Sequence, residues 1–179
     1  MRILVLQSSP NPRGSTSILV DEFSRGAREN GHEVVRVDVC KQDIAPCTGC
    51  VACGYEGPCV QHDDMDALRE EILASDMLVL ATPLYYYGMS AQLKTVIDRF
   101  SSANSSITRR RLHSALLTVA WNADDWTFDA LCAHYRTLVR YLHWRDEGMV
   151  LGYGCGSPGM TRATEYPQQA YELGRSLGL

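Results

Sequence analysis

The chain is expected to fold as an α/β protein: a doubly wound, five-stranded parallel sheet with helices on both faces, in one domain spanning 1–179. Three observations predict this. Short apolar, β-rich runs alternate with longer stretches of helical periodicity from one end of the chain to the other. Several of the short runs are apolar without interruption, as in strands covered on both faces, rather than alternating as in half-exposed ones. The length of 179 residues, with 45% hydrophobic and 21% charged residues, suits a single core.

The elements follow in order. RILVLQ (2–7) is the first strand. Residues 14–30 read as a helix, with a hydroxyl-rich N-terminus for capping, Ile18, Leu19, Phe23 and Ala27 on one side, and Gly31 to end it. The second strand is EVVRVDV (33–39). Aspartates open a helix at 63–75, where they suit the dipole. DMLVLAT (76–82) is the third strand, halted by Pro83. A helix over 90–101 turns Leu93, Ile97 and Phe100 inward, and SALLTVAW (114–121) is the fourth strand. The span 125–145 reads as one long helix, with Phe128, Leu131, Cys132, Tyr135, Leu138, Val139 and Leu142 at helical spacing. A shorter, glycine-rich strand at 148–154 and a helix over 164–177 complete the pattern.

Composition excludes some functions. The net charge is −4, and the only dense basic run, Arg109-Arg110-Arg111, reads as a solvated turn before a strand. A nucleic-acid partner would need a basic face, so none is expected. No apolar run approaches the roughly 20 residues of a membrane span. The first residues start directly as a strand and lack the apolar core of a signal peptide, so a cytoplasmic location is expected. Thiols stay reduced there, and seven cysteines, an odd number, fit a full disulfide set poorly.

In a doubly wound sheet, ligands bind beyond the carboxyl ends of the strands, where the strand order reverses. The informative loops are therefore 8–17, 40–62, 82–89, 121–125 and 153–162. The first reads SSPNPRGSTS. It places Ser8, Ser9, Ser15, Thr16 and Ser17 around Asn11, Arg13 and Gly14, between a strand and a helix N-terminus. Unpaired helix N–H groups with added hydroxyl donors make a cradle for a phosphate. The spacing is neither a Walker loop nor a Rossmann fingerprint. Gly154, Gly156 and Gly159 do match G-x-G-x-x-G, but too near the end for a βαβ unit to follow, and read as a plain loop. The third strand runs into TPLYYYGMS, whose Tyr85, Tyr86 and Tyr87 suit a flat aromatic ligand, with Gly88 allowing close backbone approach. Acidic residues are missing at Gln7-Ser8-Ser9 and Thr82-Pro83, which disfavours a phospho-receiver on the same topology.

The loop after the second strand carries CTGCVACGYEGPC, spaced C-x2-C-x2-C-x5-C. Four thiolates at Cys47, Cys50, Cys53 and Cys59 suit zinc or a 4Fe–4S cluster. The compact triplet leans toward a cluster, since zinc sites more often pair two separated C-x2-C units. Idle or packed thiols, or a disulfide, remain open alternatives. Cys40, Cys132 and Cys155 read as packing residues. The loop's place after a strand puts it at the same sheet edge as the phosphate loop.

Taken together, SSPNPRGSTS, PCTGCVACGYEGPCVQHDDM and ATPLYYYGMSAQLKTVIDR resemble the flavodoxin-like NAD(P)H-dependent FMN reductase family, in its branch containing the iron–sulfur flavoproteins. The resemblance covers residues 1 to about 100, and the later strand pattern agrees with it. It implies the sheet order 2-1-3-4-5 and an FMN cofactor. By position, Ser9, Asn11, Arg13, Ser15, Thr16 and Ser17 match the phosphate loop. Thr82, Pro83, Leu84, Tyr85, Tyr86 and Gly88 match the flavin-edge loop, and Trp121 with Asn122 falls where a third ring contact lies. Cys47, Cys50, Cys53 and Cys59 match the cluster ligands of the iron–sulfur branch. The implied activity is hydride transfer from NAD(P)H, through FMN, to a quinone, a nitro or azo compound, or a flavin. The alternative is an electron carrier joining FMN and a 4Fe–4S cluster to a redox protein partner. A homodimer or homotetramer is implied. No acid–base triad is read anywhere in the chain.

Overall fold

The computed structural model describes residues 1–178. Its elements are β1 (Arg2–Gln7), α1 (Ser15–Glu29), β2 (Glu33–Asp38), α2 (Met65–Ala74), β3 (Met77–Pro83), α3 (Ala91–Arg99), α4 (Asn104–Arg110), β4 (His113–Val119), α5 (Asp129–Tyr141), β5 (Arg145–Gly152), α6 (Pro158–Arg162) and α7 (Tyr166–Arg175). The five strands form one parallel sheet in the order β2-β1-β3-β4-β5, as expected. The order reverses between β1 and β3, which opens a crevice at their carboxyl ends.

The two-residue period of a strand divides the core. Ile3 and Val5 of β1 face one cluster, which holds Leu19, Phe23 and Ala27 of α1 and Ala170 of α7. Leu4 and Leu6 face the other, with Leu68 and Ile72 of α2, Leu93 and Val96 of α3, Ile107 of α4 and Leu131 of α5. All four β1 residues are fully buried. Each such side chain contributes about 1.5–3 kcal/mol relative to exposure. Behind the sheet, α1 and α7 meet backbone to backbone. A Cβ added to Gly26 would lie 2.1 Å from the Tyr171 carbonyl oxygen, and one on Gly174 would lie 2.2 Å from that of Phe23. This close approach fixes the direction in which α1 presents its N-terminus.

Several boundaries differ from the sequence expectation. The span 125–145 is not one helix. Residues 125–128 form turns, closed by Thr127 N–H to Asp124 O and Asp129 N–H to Trp126 O. At the other end His143 turns left-handed (φ 55°), and Trp144 N–H reaches back to Val139 O. This is a helix stop normally signalled by glycine. β5 then begins at Arg145, three residues earlier than expected, because an edge strand needs no continuous apolar run. Pro83 closes β3 as its last paired residue, opposite Val119, rather than lying outside it. Arg109 and Arg110 are not a solvated turn but the last turn of α4, which the Ser- and Asn-rich sequence concealed. Arg110 donates to Ser75 O at 2.9 Å, and Arg109 pairs with Glu56 at 2.7 Å. No helix among the described residues is long and apolar enough to cross a membrane.

Candidate functional site

The first loop leaves β1 tied to β3 by Ser8. Ser8 donates from both its amide (2.9 Å) and its hydroxyl (3.1 Å) to Ala81 O, so it serves the fold. Asn11 then organises the turn: its Oδ1 accepts from Arg13 N–H and its carbonyl from Gly14 N–H. The helix cap is Gly14, not a hydroxyl residue, and no side chain caps α1. The first-turn N–H groups of Ser15, Thr16 and Ser17 therefore lack both intrahelical partners and a side-chain cap. The turn contains no acid. Thr16 is 1% exposed, and its Oγ1 has no hydrogen-bond partner among the described residues. A buried, unpaired hydroxyl costs about 1–3 kcal/mol unless something accepts its bond. A phosphate at the positive end of α1 fits it.

The hydroxyls that the sequence grouped together divide into two sets. Ser9, Ser15 and Thr16 line a crevice of about 270 Å³ with Asn11 and Gly14. Ser17 does not line it. Its Oγ accepts from Gln7 Nε2 and donates to Pro12 O, both at 2.7 Å, and so locks the loop from behind. Arg13 is exposed and is likewise not part of the lining. The opposite wall is Pro83, Leu84 and Tyr85, with Val119, Ala120 and Trp121 beyond. Cys155 and Gly156, from the loop after β5, and Pro158, which opens α6, complete it. The sequence reads Cys155 as packing and Gly156 as plain loop, and neither as part of a site. That loop, 153–162, is one of those expected at the ligand side of the sheet because it follows a strand.

The aromatic loop is a tight reversal. Tyr85 and Gly88 exchange amide bonds in both directions at 3.1 Å. Tyr86 (φ 45°) and Tyr87 (φ 63°) are both left-handed between them, a turn that usually takes Asn-Gly. Such backbone costs roughly 1–3 kcal/mol per residue and tends to persist where function requires it. Tyr86 is fully exposed, and Tyr87 packs on Trp126 with ring centroids 5.1 Å apart. Tyr86, Tyr87 and Asn122 line a second compartment of about 240 Å³ that shares Leu84, Ala120 and Trp121 with the first. Thr82 is buried behind the wall, where its Oγ1 accepts from Ser90 N–H and aligns α3. Gly88 has room for a side chain, its nearest neighbour being Tyr85 O at 3.9 Å.

Cys47, Cys50, Cys53 and Cys59 line one cavity of about 150 Å³. Gly49 N–H donates to Cys47 Sγ and Gln61 N–H to Cys59 Sγ, each at 3.5 Å. The amide of Ala52 and then the Thr48 hydroxyl hold the Cys50 thiol below its ordinary range. Among the described residues no three His, Cys, Asp or Glu side chains gather closely enough to hold a metal ion. The thiols ring the cavity instead. A four-thiol set with amide donors to sulfur is the donor chemistry of an iron–sulfur cluster, so the residues fit that group.

The cavity's position departs from expectation. Its loop leaves β2 at the carboxyl edge, but Arg99, Ser101 and Ser102 form one of its walls. These stand at or beyond the far end of α3 from the aromatic loop, a helix of nine residues and so about 13 Å long at 1.5 Å per residue.

Arg99, which sequence reasoning did not single out, clamps the loop. It is 1% exposed and donates to both Asp63 carboxylate oxygens at 2.7 and 3.0 Å. It also donates to Ala45 O and Gln61 O, one on each side of the four cysteines. Burial acts to raise the Asp63 pKa, but the Arg99 bonds and the amides of Ala45 and Met65 outweigh it and hold the carboxyl below its usual range. The loop tip is fastened by Glu56, which the Ser106 hydroxyl and then Arg109 bring down to about 2.

The chain is similar to known proteins in both sequence and fold. The model of the family described as NADPH-dependent FMN reductase matches residues 1–171. An iron-sulfur flavoprotein from Archaeoglobus fulgidus is 39% identical over 99 residues, 55% of this chain and 45% of that one. An FMN-dependent NADH:quinone oxidoreductase from Ralstonia nicotianae is 31% identical over 117 residues, 58% of this chain and 55% of that one. The chain thus spans about half the length of these curated relatives. Among solved structures, an NAD(P)H:quinone oxidoreductase from Methanothermobacter marburgensis superposes with a TM-score of 0.79 at 17% identity. That match covers 100% of this chain and 96% of the other.

Proposed function

Because the chain belongs to the NADPH-dependent FMN reductase family, we propose that it is an FMN-dependent NAD(P)H oxidoreductase that reduces a quinone, a nitro or azo compound, or a free flavin. The observation that carries this reading is the uncapped N-terminus of α1 with the buried, unpartnered Thr16 Oγ1 beside it. When bound, FMN supplies the hydride chemistry and the protein binds and orients it. Ser9, Asn11, Ser15 and Thr16 would hold the phosphate, with Ser17 and Arg13 supporting the loop from outside. Pro83, Leu84 and Tyr85 would flank the ring on one side and Trp121 on the other, with Tyr86, Gly88 and Asn122 at the rim and Thr82 fixing the wall. On this reading 1–179 is one FMN-binding domain. It works in the reducing cytoplasm as a homodimer or homotetramer, with a small-molecule acceptor.

A second reading is favoured by a specific observation: all four loop cysteines line one cavity, with amide donors on two of the sulfurs. In it the chain holds a 4Fe–4S cluster on Cys47, Cys50, Cys53 and Cys59 and passes electrons to a redox protein. Anaerobic purification with iron analysis and NAD(P)H oxidation assays separates the two. The carrier reading expects about four irons per chain, lost in Cys53→Ala. The oxidoreductase reading expects FMN-dependent NAD(P)H oxidation with a quinone, unchanged within about twofold in Cys53→Ala, since that thiol lies outside the crevice. An iron-dependent collapse of quinone turnover in that variant would contradict the metal-free oxidoreductase.

A further inference from the structure

We propose that Gly156 is a positioning residue. Its missing side chain seats the Trp121 indole across the mouth of the crevice, and that indole is the face against which a flat aromatic ring is held. The proposal rests on the FMN reading above. A Cβ on Gly156 would lie 2.1 Å from Trp121 Cε3, 2.6 Å from Cδ2 and 2.7 Å from Cζ3. Three atoms of the indole's six-membered ring therefore rest on the Gly156 Cα. Gly156 does not have a positive φ, so its backbone would accept any residue. The need for glycine comes from the indole alone. Gly154 differs, since its φ of 65° itself favours glycine.

The seat is built into the sheet. Ala120 N–H donates to Gly152 O, Cys155 N–H to Ala120 O at 2.7 Å, and Gly154 N–H to Asn122 O at 3.2 Å. These bonds hold the loops after β4 and β5 in register, so that residue 156 comes to lie beneath residue 121. Trp121 is nevertheless 76% exposed. One face is pinned while the rest of the ring is left to water, the condition of a large aromatic surface kept for a ligand. It is also the shared wall of the two compartments, and the second has no charged side chain in its lining. An uncharged flat ring suits it. That ring could be the flavin's own or an acceptor's.

The test uses wild type, G156A, W121A and the double variant, each labelled with 5-fluorotryptophan. The chain has three tryptophans, and the Trp121 fluorine signal is assigned by its loss in W121A. In the absence of FMN, G156A is expected to move the Trp121 signal and leave the other two in place. If the flavin ring is held, G156A raises the Kd for FMN about three- to tenfold and leaves the KM for 1,4-naphthoquinone alone. If the acceptor ring is held, the KM rises by a similar factor and the FMN Kd is unchanged. Both outcomes support the proposal, provided that G156A adds nothing in the W121A background. An unmoved Trp121 signal overturns it, as does a G156A effect of equal size with and without Trp121. Should G156A alone fail to fold, the double variant, which removes the clash, is expected to fold; failure of both overturns the seat. Failure of wild type to bind FMN would defeat the FMN reading, while the fluorine signal still decides the seat.

Discussion

Replacing Asp63 by alanine is expected to destabilise the protein by about 3–5 kcal/mol, the cost of leaving one charge of a buried ion pair uncompensated. The guanidinium of Arg99 is 1% exposed and has no other carboxylate partner among the described residues. Its Nε is already buried without a partner. Asp63 also accepts from the amides of Ala45 and Met65, so the same change frees the start of α2 and one side of the cysteine loop. Urea titration measures the loss, and a change under 1 kcal/mol would show that the clamp is not needed. The pH dependence has a definite sign. A carboxyl held below its unfolded value stabilises the fold above that value, about 4. The stabilisation is then lost as pH falls through the lower folded value. Wild type should therefore lose stability on acidification more steeply than Asp63→Ala.

Thr16→Asp is expected to raise the Kd for FMN by at least about 100-fold while leaving the fold intact. A hydrogen bond from the hydroxyl to a charged phosphate is worth about 1.5–3 kcal/mol, and a carboxylate in its place adds like-charge repulsion. The same carboxylate suits the positive end of α1, where the first turn has no acid, which offsets part of the cost of placing a charge at a 1% exposed position. Thermal stability is therefore expected to fall modestly without loss of the fold. Flavin fluorescence titration together with thermal unfolding checks both halves. Unchanged FMN affinity would place the phosphate elsewhere.

Much of this molecule was legible in the sequence because the signal was local. Continuous apolar runs marked the strands, and hydroxyls crowded against a helix start marked the loop from which Ser9, Ser15 and Thr16 line the crevice. What escaped depends on contacts between distant residues. Nothing in TVIDR indicates that Arg99 reaches Ala45, Gln61 and Asp63. His143 and Arg111 end helices in left-handed conformations without glycine, so the stops after α5 and α4 carried no punctuation. Ser17 looked identical to Thr16 in the sequence, yet it faces Gln7 and Pro12 instead of the crevice, because successive helix positions point about 100° apart. Gly156 lay in a motif set aside for good reason, and only the indole above it gives that glycine a purpose.

On the proposed reading the open end of α1 holds the phosphate of FMN. Titrating the wild-type protein with FMN and with riboflavin, which lacks the phosphate, tests it most directly. FMN is expected to bind at least about 100-fold tighter, since two or more charge-assisted bonds are lost with the phosphate. Equal affinity for the two would contradict it.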